Sequence, residues 1–301
     1  MPTHIHYLFL LFLAFACGVH ERKSHTTPTL PPTFGDYWYQ GKAELASYDL
    51  QQVRYGELRD GQAVLIFVTE DFLLTRQVKP DHPGEAADAI KVLKLNATRK
   101  FNTGIYPYST MTSVFTPVYL HENPSTIKLT TSVQEWCGHT FLQANLTKNA
   151  YKIQGHSYFE KEGEQEYTIT NTWMEDEIWN SIRINPKGLP IGKVEMLPSS
   201  LYSRLKHIRY QPYLAEATFT STTPDTSVYQ ISYPEMQRVL KIKFDPDFPH
   251  GILAWEESYP EGGEIMTSKA TLKKSLLLDY WNKNSEADSI WRRKLELPGE
   301  E

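Results

Sequence analysis

Cysteine is nearly absent: the 301 residues carry two, Cys17 and Cys137. With no CxxC pair, neither a zinc knuckle nor a dithiol redox motif can be built from neighbouring thiols, and a disulfide framework is out of reach. An HExxH helix, a GxGxxG turn, a P-loop and a GxSxG nucleophile elbow are missing as well. That removes the sequence signatures of zinc peptidases, dinucleotide enzymes, P-loop NTPases and α/β-hydrolases. An excess of positive charge is lacking too; the formal net charge of −5 gives no basis for nucleic-acid binding, which needs a basic patch. No apolar run reaches the roughly 20 residues of a membrane-spanning helix.

Charge is also absent from the start of the chain. Residues 1–16 contain no Asp, Glu, Lys or Arg, and Ile5 to Ala16 is a largely apolar run of twelve. That length suits the core of a signal peptide. Cys17 follows the small Ala16, the arrangement of a bacterial lipoprotein signal in which the cysteine is acylated and becomes the mature amino terminus. Ala14-Phe15 departs from the usual pattern, so a cleaved signal without lipid and an uncleaved anchor remain as alternatives. Several acyl chains on Cys17 would hold the protein durably, where one alone binds a membrane only marginally. The expected organisation is a signal peptide over 1–16, then the lipidated cysteine and a Pro/Thr-rich tether over 17–36. Thr26 to Thr33 has few apolar groups to bury, and its prolines extend the chain.

What is plentiful is aromatic and β-compatible residue. Aromatics make up 13% of the chain, and period-two alternation runs through Tyr39 to Tyr48, Ala63 to Thr69, Ile127 to Val133, Tyr167 to Ile169, Thr226 to Ile231 and Met266 to Leu272. Turn signals separate these runs: Arg59-Asp60-Gly61, Pro80 to Gly84 and Glu261-Gly262-Gly263. We expect a mainly β body of about 10 to 14 mostly antiparallel strands, since the connections are too short for repeated helical crossovers.

One unit occurs twice. Val92-Leu93-Lys94-Leu95, Phe101 and Gly104-Ile105 reappear as Val239-Leu240-Lys241-Ile242, Phe248 and Gly251-Ile252 at a constant offset of 147 residues. Each copy reads as a strand entering a tight turn, with an aromatic, Tyr108 or Trp255, three residues beyond the isoleucine. Between the copies lies one helix. Thr172 with Glu175 forms a capping-box pattern, Met174, Ile178 and Ile182 make an apolar stripe widened by Trp173 and Trp179, and Asn185-Pro186-Lys187-Gly188 ends the run. The expected fold is therefore a pair of duplicated antiparallel curved sheets, half-barrel-like units, over 37–172 and 185–283. A connecting helix spans 173–184 between them, and a polar tail over 284–301 is either a short helix around Ile290, Trp291 and Leu295 or a frayed end.

The one constellation with possible chemistry is Gln134 to Thr140. If it is a single strand, Val133, Glu135, Cys137, His139 and Phe141 share a face with about 6.6 Å between successive side chains. A carboxylate, a thiol and an imidazole together suggest a metal-ligand set or a histidine-activated thiol, with His121 or His156 supplied by folding. The alternative is a structural strand covered on both faces, with Cys137 packed as a small hydrophobe and Trp136 opposite.

Taken together, the signal ending at Cys17 and the runs Tyr37 to Glu44, Phe101 to Tyr108, Gln134 to Gly138 and His156 to Glu160 resemble a lipoprotein family of Bacteroidetes to which no chemistry is attached. Some of its members are labelled "septum formation inhibitor Maf"; the Ser-x-Ser-Pro-Arg-Arg motif of Maf nucleotide pyrophosphatases is absent here. The resemblance implies a compartment: the bacterial cell envelope, anchored by lipid, with the body facing the periplasm or the cell surface. The expected role is a non-catalytic one, binding a hydrophobic ligand or an envelope protein partner, with the membrane engaged through the anchor, no cofactor and no nucleic acid. The alternative is an envelope enzyme, or a redox or metal protein, using Cys137 with His139 and Glu135.

Overall fold

The computed structural model describes residues 30–298 apart from 83 and 85. The expected signal peptide, the lipid site at Cys17 and the tether up to residue 29 lie outside the described residues. Eight strands run as an antiparallel meander: β1 (Ala43–Arg54), β2 (Glu57–Leu73), β3 (Ala89–Thr103), β4 (Tyr106–Pro117), β5 (Lys128–Glu135), β6 (Gly138–Leu146), β7 (Ala150–Ser157) and β8 (Glu164–Thr170). After the two-residue β9 (Trp173–Met174), helix α2 (Glu175–Ile184), β10 (Gly192–Leu197) and helix α3 (Ser200–Leu205), a second meander follows. It comprises β11 (Tyr213–Thr223), β12 (Thr226–Tyr233), β13 (Arg238–Phe244), β14 (Ile252–Glu261) and β15 (Glu264–Leu278). The last strand pairs antiparallel with β1, so the two expected units are halves of one continuous, curved, unclosed 15-stranded sheet. Among the described residues only β9 and β10 pair in parallel. No helix among the described residues is long and apolar enough to cross a membrane.

Antiparallel order puts the β1/β2, β3/β4, β5/β6, β7/β8 and β14/β15 turns at one end of the sheet, here the hairpin end. The loops β2/β3, β4/β5 and β13/β14 and the first residues of β1 fall at the other. A short helix α1 (Phe34–Trp38) packs at that second end, with the Phe34 and Tyr37 rings 6.1 and 5.9 Å from Phe248. Phe34 is buried, so the packed body begins there and not at residue 37.

Helix α2 lies inside the curve. Met174, Ile178 and Ile182 are fully buried as the stripe predicts, and the Trp179 ring meets the Trp255 ring edge-on at 5.3 Å. The face opposite the stripe is polar, which in a surface helix would meet water. Here it is enclosed as well, because the strands and the β4/β5 loop supply partners for it. Glu175 holds Arg238 from β13, Glu177 accepts the Thr126 N–H at 3.2 Å, Asn180 donates to the Leu93 carbonyl at 3.0 Å and Arg183 forks onto Glu44 of β1 at 2.6 and 2.5 Å. The helix cap is one residue pair later than expected: the Met174 N–H donates to Glu177, while the Thr172 hydroxyl is taken by the Glu195 carbonyl. Desolvated carboxylates in this first turn are favoured by the helix N-terminus and by these bonds, which is why the cap sits at the buried acids.

The repeat is matched over its strands and departs at its turns. Leu93 and Leu240, and Leu95 and Ile242, point into the core at equivalent places, as do Tyr108 and Trp255. In the first copy the strand does not stop at Asn96; β3 continues through Phe101 to a two-residue turn where Gly104 takes a positive φ of 62° and Ile105 stands in solvent. In the second copy the strand ends at Phe244 and a longer loop returns to a buried Ile252. Arg59-Asp60-Gly61 is likewise not a turn but lies within β2. Gly61 is there because β3 passes so closely that a Cβ would sit 2.4 Å from the Lys100 carbonyl oxygen. Of the two expectations for the tail, the described residues form the short helix: α4 (Ile290–Lys294) is followed by Leu295, buried on the outer face against Ala43, Leu45, Val68 and Leu278. That cover explains why β1 is buried on both faces instead of alternating.

Candidate functional site

The strand order leaves a seam between β8 at one edge of the sheet and β9 and β10 at the other, and at the hairpin end α3 with the residues after it crosses this seam. Ser199 caps α3 by accepting the Tyr202 N–H at 3.5 Å, and Leu201 and Leu205, one turn apart, bury the helix against the sheet. His207 takes a positive φ of 53° and the Ile208 N–H returns to the Ser203 carbonyl at 3.0 Å, so the chain turns sharply and carries Ile208 to Tyr210 across the opening.

Between this crossing and β5–β8 lies a cavity of about 440 Å³. Its walls are of two kinds. A hydroxyl wall runs from Thr131, whose Oγ1 is 2.5 Å from Ser200 Oγ, to Thr140, Ser157 and Ser203. An aromatic and aliphatic wall is made by Leu142, Tyr167, Ile208 and Tyr210. Glu162 organises the charged side: one carboxylate oxygen accepts from Arg204 at 3.3 Å and His207 Nδ1 at 2.6 Å, the other from the Ser157 hydroxyl at 2.8 Å. Arg204 is fixed further by a bond to Thr140 at 2.8 Å and by the Phe159 ring 4.5 Å beneath it, and its burial lowers its pKa. Arg209 lies 4.4 Å over the Tyr167 ring with no ion pair among the described residues, and Lys161 at the rim has none either. The Tyr210 hydroxyl is buried and has no hydrogen-bond partner there, and burial pushes its pKa up. Behind the hydroxyl wall the Ser200 N–H donates to Asp176 at 2.8 Å; burial raises that carboxyl to about 6.

A second, interior cavity of about 40 Å³ lies beside Trp179 and Trp255. It is large enough for a water molecule or two and far below the ~300 Å³ at which small-molecule pockets begin. The concave face of the sheet is therefore filled by α2, and ligand-sized space remains at the seam and in an open groove of about 570 Å³ beside it, where His139, Phe141, His156 and Tyr158 come together.

The expected thiol site is arranged differently from the single-strand reading. The chain folds back between β5 and β6, with Trp136 and Cys137 forming the turn and Glu135 opposite Gly138. Glu135 is buried and accepts the Cys137 N–H at 2.7 Å, and its hydrogen bond to the thiol together with its charge raises the Cys137 pKa, the reverse of thiolate activation. His139 is across from Gln134 on the solvent face, so it does not join Glu135 and Cys137. Cys137 and Trp136 are both exposed, so the reading of a strand covered on both faces is also corrected. A one-residue shift at a turn sends side chains to opposite faces, and no periodicity in Gln134 to Thr140 announces the turn. His156 pairs with Glu164 at the cavity rim, and His121 lies at the other end of the sheet. Among the described residues no cluster of three His, Cys, Asp or Glu could hold a metal ion.

The seam residues were not singled out by the motif reading. The signal that could have found them is Ser199 followed by Leu201 and Leu205, a capped short helix with Arg204 on its flank. Comparison with protein-family models, curated proteins and solved structures gives no match for the chain.

Proposed function

We propose that the protein is a non-catalytic binding protein of the bacterial cell envelope that holds a small acidic amphiphile in the seam cavity. The signal-like run ending at Cys17 supports a lipid anchor and the envelope compartment. The observation that carries the ligand reading is the cavity itself: about 440 Å³, with Arg209 and Lys161 lacking carboxylate partners among the described residues beside an apolar wall of Leu142, Tyr167 and Ile208. That combination suits a carboxylate or phosphate head and a short apolar body, and the volume falls in the range of small-ligand pockets. The filled concave face and the 40 Å³ interior cavity leave no room for a long-chain lipid within the sheet.

Decanoate and decylamine, each with ten carbons, test the reading by thermal shift and titration calorimetry. Decanoate is expected to stabilise the protein and decylamine not to. Arg209→Gln should weaken decanoate by about tenfold, the loss of one charge-assisted bond. Gly155→Leu, which projects a side chain into the cavity from β7 with its Cβ still 3.6 Å from Gln165, should abolish binding. Equal shifts with both probes, or binding untouched by Gly155→Leu, would refute the proposal.

A further inference from the structure

Three of the hairpin turns share a feature that the seam cavity does not use. The three most exposed large hydrophobic side chains among the described residues are Ile105 at 81%, Tyr158 at 71% and Trp136 at 67%. They occupy the β3/β4, β7/β8 and β5/β6 turns, all at the hairpin end, and Tyr55 adds a fourth at the β1/β2 turn with 52% exposure. The row is built, not incidental. Tyr158 lies on Gly138, where a Cβ would approach its ring to 2.9 Å, the Trp136 ring stands 6.3 Å from Tyr106, and the Tyr55 hydroxyl is 2.8 Å from that of Tyr108.

We propose that this row of hairpin tips seats on a lipid bilayer. Neighbouring hairpins are two strand spacings, roughly 10 Å, apart, so the tips form separate protrusions instead of one flat patch. Separate protrusions can each enter a headgroup layer, whereas a stable protein partner needs a continuous complementary surface of about 800 Å². Trp and Tyr combine a ring with a polar tip and favour the depth of the headgroups. Of the carboxylates at the turns, Glu57 is paired with Arg59 and Glu261 with Lys206, both at 2.6 Å, while Glu160 and Glu264 have no ion pair among the described residues. Insertion is therefore driven by apolar area and depends little on salt. Leu30 enters the fold at the opposite end, beside α1, so a contact made by the tips is separable from anything that residues before Leu30 do. The inference does not rest on the ligand in the seam.

The test uses the full chain with Cys17→Ser, which leaves Cys137 as the sole thiol, carrying an environment-sensitive nitrobenzoxadiazole label. On mixing with phosphatidylcholine vesicles the label should shift to the blue and become shielded from aqueous quencher. A label at Ile191→Cys, at the other end in a chain with Cys17→Ser and Cys137→Ser, should not. Ile105→Ser with Tyr158→Ser should weaken partitioning at least about tenfold, from the apolar area removed, and raising salt to about 0.5 M should change it less than twofold. No change at Cys137, or a larger one at position 191, would overturn the proposal. So would a blue shift without vesicles accompanied by a dimer in light scattering, which would make this end an interface between copies.

Discussion

Replacing Arg183 by Met removes the positive half of the pair that ties α2 to β1. Arg183 is fully buried, forks onto Glu44 at 2.6 and 2.5 Å and lies 4.7 Å over the Phe67 ring. Met fills much of the volume, so the main effect is electrostatic: Glu44, only 4% exposed, keeps its charge with the Tyr37 hydroxyl as its remaining partner. Breaking such a pair from one side costs about 3–5 kcal/mol, a third or more of a typical domain's stability. The pH dependence follows from the same geometry. In the native protein burial pushes the Glu44 pKa up, but Arg183 and Tyr37 outweigh it and the net shift is downward. A lowered carboxylate contributes stability above its unfolded pKa and loses it as pH falls through the folded value. Without Arg183 burial dominates, the folded pKa rises above the unfolded one, and the contribution is present at low pH and lost as pH rises. Urea unfolding followed by tryptophan fluorescence should therefore show a deficit for Arg183→Met that is largest at pH 7 and shrinks towards pH 4.5. Adding Glu44→Gln to it should recover most of the loss at pH 7. A deficit below about 1 kcal/mol, or one equal at both pH values, would refute the role assigned to the pair.

Asp176, raised from 3.8 to about 6 mainly by burial, acts with the opposite sign from native Glu44: its contribution is fully present below pH 3.8 and lost as pH climbs to 6. Asp176→Asn keeps an acceptor for the Ser200 N–H and should flatten the stability profile between those values, gaining up to about 3 kcal/mol at pH 7 by denaturant titration. Gly61→Ala should cost about 1–3 kcal/mol in the same assay, because its Cβ meets backbone oxygen that cannot move without disturbing the β2/β3 pairing. Cys137, exposed but raised by Glu135, should react slowly with iodoacetamide at pH 7 and faster as pH rises, with Glu135→Gln accelerating it at neutral pH. A fast, pH-independent rate would instead restore the activated-thiol alternative.

The sheet was legible because half-buried strands leave a period-two trace: each alternating run named from the sequence lies in or overlaps one strand. Helix α2 was legible from its apolar stripe, but its enclosure was not, since the partners of Glu175 and Arg183 are 63 and 139 residues away in sequence. Gly61 was misread for a physical reason: a close backbone approach and a turn call for the same residue. Fifteen strands stand where 10 to 14 were expected, the two-residue β9 being too short to leave any pattern. The seam cavity depends on where β8 and β10 stop relative to one another, which no local signal encodes. Glu135, Cys137 and His139 share a spacing but straddle a turn.

The central claim, a lipid-held protein with a small acidic amphiphile in its seam, is tested most directly by an intact native mass. The protein would be released from its source membranes in mild detergent. The account predicts a chain beginning at an acylated Cys17 with a stoichiometric acidic ligand, and loss of that ligand when Gly155→Leu is purified in the same way. An unacylated chain that carries nothing, or a ligand retained in Gly155→Leu, would contradict it.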